Sequence, residues 1–337
     1  MKRFEFILLC ICCFGCTNLF SQVADKFAPA RARVIIVNDF SGDPDGLFQL
    51  AHHLLSPSVE IRAIIGSHLR PNDPFDNSAV TADNAAKNAQ ELVDLMFPSS
   101  EIKVLAGSNS GLKDVKTPAP SKGADFIIQE ALRTDTDLPL FVVCGAGLTD
   151  IASALLQKPE IAKKFTLVWI GGEEYKGINR PPNFSTPEYN LAISIPAAQV
   201  VFNHSEVAIW QVPRNAYRQV LMSYAELQTK VKPLGKLGVF LAEKIENLME
   251  RTQQFKLFVG ETYIQGDNPL VLLTALQSSF EADPSSSFYS VENAPLITEK
   301  GSYATNPKGK KIRVYNQLDI RLLLDDFYAK LNLFYKK

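Results

Sequence analysis

The chain has 337 residues, 46% of them hydrophobic and 21% charged, which suits one large α/β domain or two ordinary ones and excludes wholesale disorder. Its 35 Lys+Arg and 36 Asp+Glu leave a net charge of −1, with no polybasic patch. Nucleic acid is therefore excluded as the main partner, and a small or neutral ligand fits the balance better.

Residues 1–22 read as a targeting segment. Lys2 and Arg3 give a basic start, and Ile7 to Phe20 is an apolar run too short to span a membrane, so no transmembrane span is expected. Two cleavage readings stand. Small Ser21 before Gln22 suits ordinary signal peptidase and a periplasmic or secreted protein; Gly15-Cys16 suits a lipoprotein anchored at Cys16, although Cys13 sits where an aliphatic residue belongs. Export as a soluble protein is the preferred expectation. Cys10, Cys12, Cys13 and Cys16 all lie in this segment, so a chain cleaved after Ser21 keeps Cys144 alone. One cysteine makes neither an internal disulfide nor a cysteine-built zinc site, and Cys144, at the end of an apolar strand, reads as a buried structural thiol.

The rest, residues 23–337, reads as a single domain. Strand-like runs at Val34–Val37, Ile61–Ile65, Ile102–Leu105, Leu138–Cys144, Phe165–Ile170 and Val207–Val212 alternate with helical patterns. These patterns cover Leu47 to Leu55, Ser78 to Met96, Ser121 to Arg133, Thr149 to Gln157 and Pro196 to Asn203. The rhythm predicts an α/β fold with an open, mostly parallel, Rossmann-like sheet and helices on both faces, because doubly covered parallel strands read as continuous apolar runs. After residue 213 a long helical stretch from Tyr224 to Lys256 is interrupted near Pro233-Leu234-Gly235. A short helix follows Pro269, Asp283 to Ser287 is a turn or loop, Ile312–Tyr315 is a late strand, and Asp319 to Leu333 is a terminal helix packed on the same sheet.

The first strand feeds directly into Asn38-Asp39-Phe40-Ser41-Gly42-Asp43-Pro44-Asp45-Gly46, which crowds three carboxylates at the strand end where an open α/β sheet keeps its ligand crevice. Two readings are open on this stretch. Buried like charges need a neutraliser, and a divalent cation held by oxygens is the simplest. A solvated turn, in which Asp and Gly supply only turn geometry, is the other. No Gly-x-Gly-x-x-Gly follows the strand, no P-loop occurs and no Gly-x-Ser-x-Gly elbow is present, which disfavours dinucleotide, nucleotide-phosphate and serine-hydrolase chemistry.

Several segments line up in order. Val34 to Asp39 with the acidic loop, then Leu54-Leu55-Ser56-Pro57, resembles the opening of the inosine–uridine preferring nucleoside hydrolases. Val104-Leu105-Ala106-Gly107 and Gly145-Ala146-Gly147-Leu148-Thr149-Asp150 are similar to the family's third-strand segment and its Gly-Pro-Leu-Thr-Asn turn. Trp169-Ile170-Gly171-Gly172, Pro187-Glu188-Tyr189-Asn190 and Gly266-Asp267-Asn268-Pro269 are similar to its Gly-Gly, Glu-Phe-Asn and His-Asp-Pro segments. The resemblance spans about residues 33 to 280. The acidic loop is closest to a divergent branch with an Asp-x-x-x-acid-Pro-Asp-Asp pattern, of which Asp39, Asp43, Pro44 and Asp45 fit and Gly46 does not.

The resemblance implies N-ribosyl hydrolysis of a nucleoside or related glycoside with Ca2+ as cofactor, and the family's dimers and tetramers imply a homo-oligomer. Asp39 is then general base and metal ligand, Asp45 a sugar or metal ligand, Asp267 a metal ligand from far along the chain, and the carbonyl near Gly145 a further oxygen ligand. Glu188 and Asn190 hold the sugar, and His68, following the second strand, lies near the crevice. Bland alternatives stand beside each: a turn cap for Asp39, solvation for Asp43, helix N-caps for Asp45 and Asp267, an exposed loop for Glu188 and Asn190, a satisfied loop histidine for His68. His52 and His53 read as packed or solvated on the first helix, and His204 as a helix end. Gly46 and Gly266 replace a metal-ligating Asp and a base-protonating His of the family, which leaves leaving-group activation unassigned among Tyr217, Arg214, Arg218 and Trp210. Two rival functions follow: a non-catalytic nucleoside- or sugar-binding module on the same fold, and a hydrolase of another glycosidic linkage.

Overall fold

Seven consecutive buried residues make β1 (Ala32–Asn38) an interior strand. It belongs to a computed structural model that describes residues 28–175, 177–178, 186–278 and 287–336. The expected targeting segment, its cysteines and cleavage sites, and residues 283–286 of the expected turn lie outside these. The strands that follow are β2 (Val59–Gly66), β3 (Lys103–Ala106), β4 (Leu140–Cys144), β5 (Thr166–Ile170), β6 (Ala208–Val212), β7 (Leu221–Ser223), β8 (Thr262–Ile264), β9 (Phe288–Asn293), β10 (Leu296–Ile297), β11 (Tyr303–Ala304) and β12 (Lys311–Gln317). The helices include α1 (Asp45–Leu54), α2 (Thr81–Met96), α3 (Lys122–Ala131), α4 (Thr149–Gln157), α5 (Tyr189–Ile193), α6 (Ile195–Asn203), α7 (Gly235–Gln254), α8 (Pro269–Leu272) and α9 (Ile320–Tyr335).

The central sheet has eight strands in the order β3-β2-β1-β4-β5-β6-β12-β9, parallel except for β9, which pairs antiparallel with β12 at the edge. The parallel α/β expectation holds. Side chains of β1 alternate between two cores, as a pleated strand requires. Val34 and Ile36 join a cluster with α1, α2, α7, α8 and α9, whereas Ile35 and Val37 join one with α3, α4 and α6. Both faces are therefore covered, and truncating Ile36 to Ala would cost about 2–5 kcal/mol through lost burial and a cavity.

The C-terminal third closes on the same sheet. β12 extends it beside β6, and Phe327 of α9 meets Phe48 and His52 of α1 at ring-centroid distances of 5.9 and 5.3 Å. Asp319 caps α9 by accepting from the Leu322 amide at 2.9 Å. The long helical stretch is interrupted where expected: turns at Tyr224–Glu226 and Leu227–Val231 end before α7, which starts at Gly235 in a left-handed conformation with φ +67°. Strand β9 and the small β7–β8 and β10–β11 pairs were not expected from the sequence. Among the described residues no helix is long and apolar enough to cross a membrane.

The strand order reverses between β1 and β4, which pair in register from Arg33↔Leu140 to Val37↔Cys144. A ligand crevice opens outside the carboxyl ends of the strands at such a switch point. Here those ends deliver Asn38 and Gly145, joined by the Gly145 amide donating to the Val37 carbonyl at 3.0 Å. Cys144, just inside, is buried, and burial pushes its thiol up, which suits a structural role.

Candidate active site

The acidic loop leaves β1 through a turn closed by the Gly42 amide donating to the Asp39 backbone carbonyl at 2.7 Å. The backbone makes this turn, so the Asp39 carboxylate is not consumed as a cap. Helix α1 begins at Asp45 after Pro44, without a side-chain cap. Asp45 is therefore no N-cap; its Oδ2 instead accepts from the Asp267 amide at 3.1 Å. Asp43 is half-buried rather than freely solvated, accepting from the Tyr263 hydroxyl at 2.6 Å and the Asp45 amide at 3.3 Å.

Asp267 arrives from the other end of the chain, just before α8. Asn268 holds the cap position and Pro269 the first turn, with no side-chain cap bond, so Asp267 is not a cap either. Its Oδ2 accepts from Asn38 Nδ2 at 2.9 Å, while Asn38 Oδ1 accepts from the Asp39 amide at 2.8 Å. A Cβ added at Gly145 would stand 2.6 Å from the Asp267 carboxyl carbon, so only glycine admits this approach. One added at Gly266 would meet Tyr217 Cδ2 at 3.2 Å and Asp45 Oδ2 at 3.3 Å. The structure thus gathers Asp39, Asp43, Asp45 and Asp267 at the switch point.

These carboxylates are buried among one another, and their protonation shows the cost. Burial, then Asp267, Asp43 and Asp73, hold Asp39 well above the usual carboxylate range. Burial and the charges of Asp267, Asp43 and Asp39 do the same to Asp45. Asp267 is pushed up to about 7, chiefly by burial, against the lowering hydrogen bond from Asn38. An all-oxygen, mutually repelling set is the donor chemistry of a hard divalent cation. No other residue among those described donates a hydrogen bond to the Asp39 carboxylate, so it is available as a ligand.

The geometry is less committed than the electrostatics. Among the described residues no group of three or more His, Cys, Asp or Glu side chains is arranged as a ready metal cage. Two expected donors are also partly engaged, Asp267 by Asn38 and the Gly145 carbonyl by Asn190 Nδ2 at 3.2 Å. A Cβ on Gly46 would lie 3.0 Å from Asn38 Nδ2, so the Asn38 amide crowds the place of the missing side chain. Carboxylate rotamers turn more cheaply than buried charge is tolerated, so the donor set fits a cation in kind.

Glu188 and Asn190 are buried, not on an exposed loop. Glu188 Oε2 caps α5 by accepting from Leu191 at 3.1 Å, and it also accepts from the Gly172 amide at 2.7 Å. Its Oε1 accepts from the Tyr217 hydroxyl at 2.9 Å. Asn190 spends its amide protons on the Gly145 and Ile170 carbonyls, leaving Oδ1 as its free acceptor. His68 is the satisfied loop histidine: its ring nitrogens lie 2.8 Å from the Leu69 carbonyl and 2.8 Å from Thr149 Oγ1, and burial lowers its pKa. Of the leaving-group candidates, Tyr217 reaches the site, Arg214 is paired with Glu174 at 2.7 and 2.6 Å, and Trp210 sits mid-strand beneath Arg313. His52 and His53 are packed, and His204 ends α6.

Four participants escaped the sequence reading. Asn38 and Tyr263 brace the carboxylates. Asp73, 1% exposed, accepts from the Tyr189 hydroxyl at 2.7 Å, and the Arg70 guanidinium lies 4.3 Å from the Tyr189 ring centroid. The one signal was the Tyr189 hydroxyl, where the resembled segment has Phe.

The model of the family described as inosine-uridine preferring nucleoside hydrolase matches residues 35–323. Solved structures agree in fold. A purine-preferring ribonucleoside hydrolase from Gardnerella vaginalis is 20% identical, with TM-score 0.69, covering 90% of this chain and 99% of that one. An inosine-uridine preferring nucleoside hydrolase from Bacillus anthracis is 17% identical, with TM-score 0.65 and the same coverage. A plant nucleoside hydrolase is 17% identical, with TM-score 0.67, again covering 90% and 99%. No curated protein matches by sequence. With that match across most of its length, and with this sheet and switch point, the chain belongs to the inosine–uridine preferring nucleoside hydrolase family.

Proposed function

We propose that the protein is an exported hydrolase that cleaves the N-glycosidic bond of a ribonucleoside or related glycoside, with Asp39 as general base. The observation that carries this is the meeting of Asp39, Asp45 and Asp267 from distant parts of the chain: Asn38 bonds the Asp39 amide and the Asp267 carboxylate, and Asp45 accepts from the Asp267 amide. Asp39, Asp45 and Asp267, with the Gly145 carbonyl, would hold calcium. Bound there, the ion supplies positive charge that acidifies water and grips sugar hydroxyls.

The protein's own groups do the rest. Asp39 takes a proton from the attacking water, since its carboxylate has no competing donor. Asn190 presents Oδ1 to a sugar hydroxyl, and the Glu188–Tyr217 pair fixes the start of α5 beneath it. The buried carboxylates favour the positive charge that develops at the anomeric carbon as the bond lengthens.

Ribose release from a nucleoside panel, with calcium present, tests this; release that needs calcium is expected, and none from any nucleoside contradicts it. A second reading, a nucleoside- or sugar-binding module, is favoured by the engagement of Asp267 and Gly145 by amides and by the absent side chain at Gly46. Measurable nucleoside affinity without turnover would select it.

A further inference from the structure

The reading above leaves the departing group without an assigned acid: position 266 is glycine, both ring nitrogens of His68 are occupied, and the Tyr217 hydroxyl donates to Glu188. A cavity of about 620 Å³ is formed by loops that neighbour the acidic site. It is lined by His68, Leu69 and Arg70 from the loop after β2, by Asn109 after β3, and by Ala192 and Ser194 at the end of α5. The same elements bound the carboxylates. The Ser67 amide donates to the Asn38 carbonyl at 2.8 Å, and Ser41 Oγ donates to the carbonyl of Thr81, another lining residue, at 2.9 Å. The first residues of α5 carry Glu188 and Asn190. A group of nucleobase size fits this volume.

Arg70 is the only lining residue with a formal charge among those described. Its side chain is 40% exposed, yet it is held on two sides. The guanidinium stacks on the Tyr189 ring at 4.3 Å and approaches Asp73 Oδ2 at 3.5 Å. Asp73 is itself fixed by the Tyr189 hydroxyl at 2.7 Å and the Phe75 amide at 3.1 Å. The charge of Asp73 is felt at Asp39, and that of Asp39 at the Tyr189 hydroxyl. Arg70 therefore lines the cavity and is held by Tyr189 and Asp73, the two residues that couple it to the general base.

We propose that this cavity receives the leaving group and that Arg70 stabilises the negative charge it acquires, as a fixed cation in place of a proton-donating histidine. The electron pair of the breaking C–N bond stays on the heterocycle, Arg70 hydrogen-bonds the anion, and solvent supplies the proton after departure. The proton taken by Asp39 returns to solvent. An arginine suits this role because it stays charged at every working pH and cannot itself be consumed as an acid. Tyr189 and Asp73 are positioning residues: they hold the guanidinium flat against the cavity wall.

The inference rests on the hydrolase reading and is separated from it by leaving-group dependence. Wild type, Arg70→Gln and Arg70→Lys are compared on a ribonucleoside and on 4-nitrophenyl β-ribofuranoside, whose leaving group needs little help. Arg70→Gln should lose about 10²-fold in kcat on the nucleoside and at least roughly tenfold less on the nitrophenyl riboside, with partial recovery in Arg70→Lys. Equal losses on both substrates, or no loss on the nucleoside, overturn the assignment of Arg70 while leaving the hydrolase standing. A wild type that cleaves neither substrate removes the hydrolase reading and this inference together.

Discussion

Asn38 Nδ2 donates to Asp267 Oδ2 across 2.9 Å, linking residues 229 apart in the chain. The same amide nitrogen also reaches Gln49 Oε1 at 3.2 Å, and Gln49 bonds His53, whose Nε2 lies 3.0 Å from Thr274 Oγ1. A buried polar chain thus runs from the carboxylates through α1 to the segment after α8. It fixes Asp267 against Gly145 and leaves Asp39 free to react. Asn38→Asp keeps the shape but adds a carboxylate beside Asp267. It should lower the melting temperature without calcium, by about 1–3 kcal/mol of stability, and restore most of the loss when calcium is added. Calorimetry with and without calcium reads this.

Gly46 and Asn38 occupy one volume between them, so their substitutions should couple. Gly46→Asp alone forces the Asn38 amide aside and should destabilise by about 1–3 kcal/mol with no gain in calcium affinity. Gly46→Asp with Asn38→Ser makes room for the carboxylate and should bind calcium more tightly than the wild type. A double-mutant cycle in calcium titrations checks the coupling; additive single effects would argue that the two positions are independent.

The raised carboxylates predict competition between protons and calcium. A carboxylate whose folded pKa is raised stabilises the fold at low pH, and that contribution is lost as pH rises from the ordinary carboxylate value through the folded one. For Asp267 the window runs from about 4 to about 7. Calcium relieves a repulsion that exists only once the protons have left. The rise in melting temperature on adding calcium should therefore be larger at pH 8 than at pH 5. An equal rise at both would deny the cluster its role.

Acid should act separately through α1. Burial lowers His52 to about 4, although its Nε2 lies 2.7 Å from Asp326. A histidine with a depressed folded pKa stabilises above its unfolded value, near 6.5, and that contribution fades as pH falls toward 4. The shift corresponds to about 3 kcal/mol. Nearby Lys330 adds to the depression. His52→Gln should be less stable than wild type at pH 7.5 and show a flatter loss between pH 6.5 and 4, measured by urea unfolding with calcium held constant.

The central parallel strands were legible because burial on both faces gives them unbroken apolar runs, as in Val34 to Val37. The interruption before α7 was legible in Pro233 and Gly235. Strand β9 was not: Phe288-Tyr289-Ser290-Val291-Glu292-Asn293 is an edge strand with exposed Phe288 and Val291, so no core imposes a pattern on it. Within the site, Asp39, Asp45 and Asp267 stood out as charges at element ends. Asn38, Tyr263 and Asp73 did not, because a neutral amide, a phenol or one more loop aspartate gains meaning only when distant loops close around it. Glu188, read as a sugar ligand with an exposed loop as the bland alternative, is buried and accepts from Gly172, Leu191 and Tyr217.

Turnover of a ribonucleoside by wild type and Asp39→Asn, at pH 8 with calcium, addresses the general base most directly. The substitution is isosteric and removes the proton acceptor together with one charged calcium ligand, so calcium is held at saturation for each protein. The account predicts a loss of about 10²–10⁴-fold in kcat, with the fold intact by melting temperature. Asp39→Asn turning over within tenfold of wild type would contradict it.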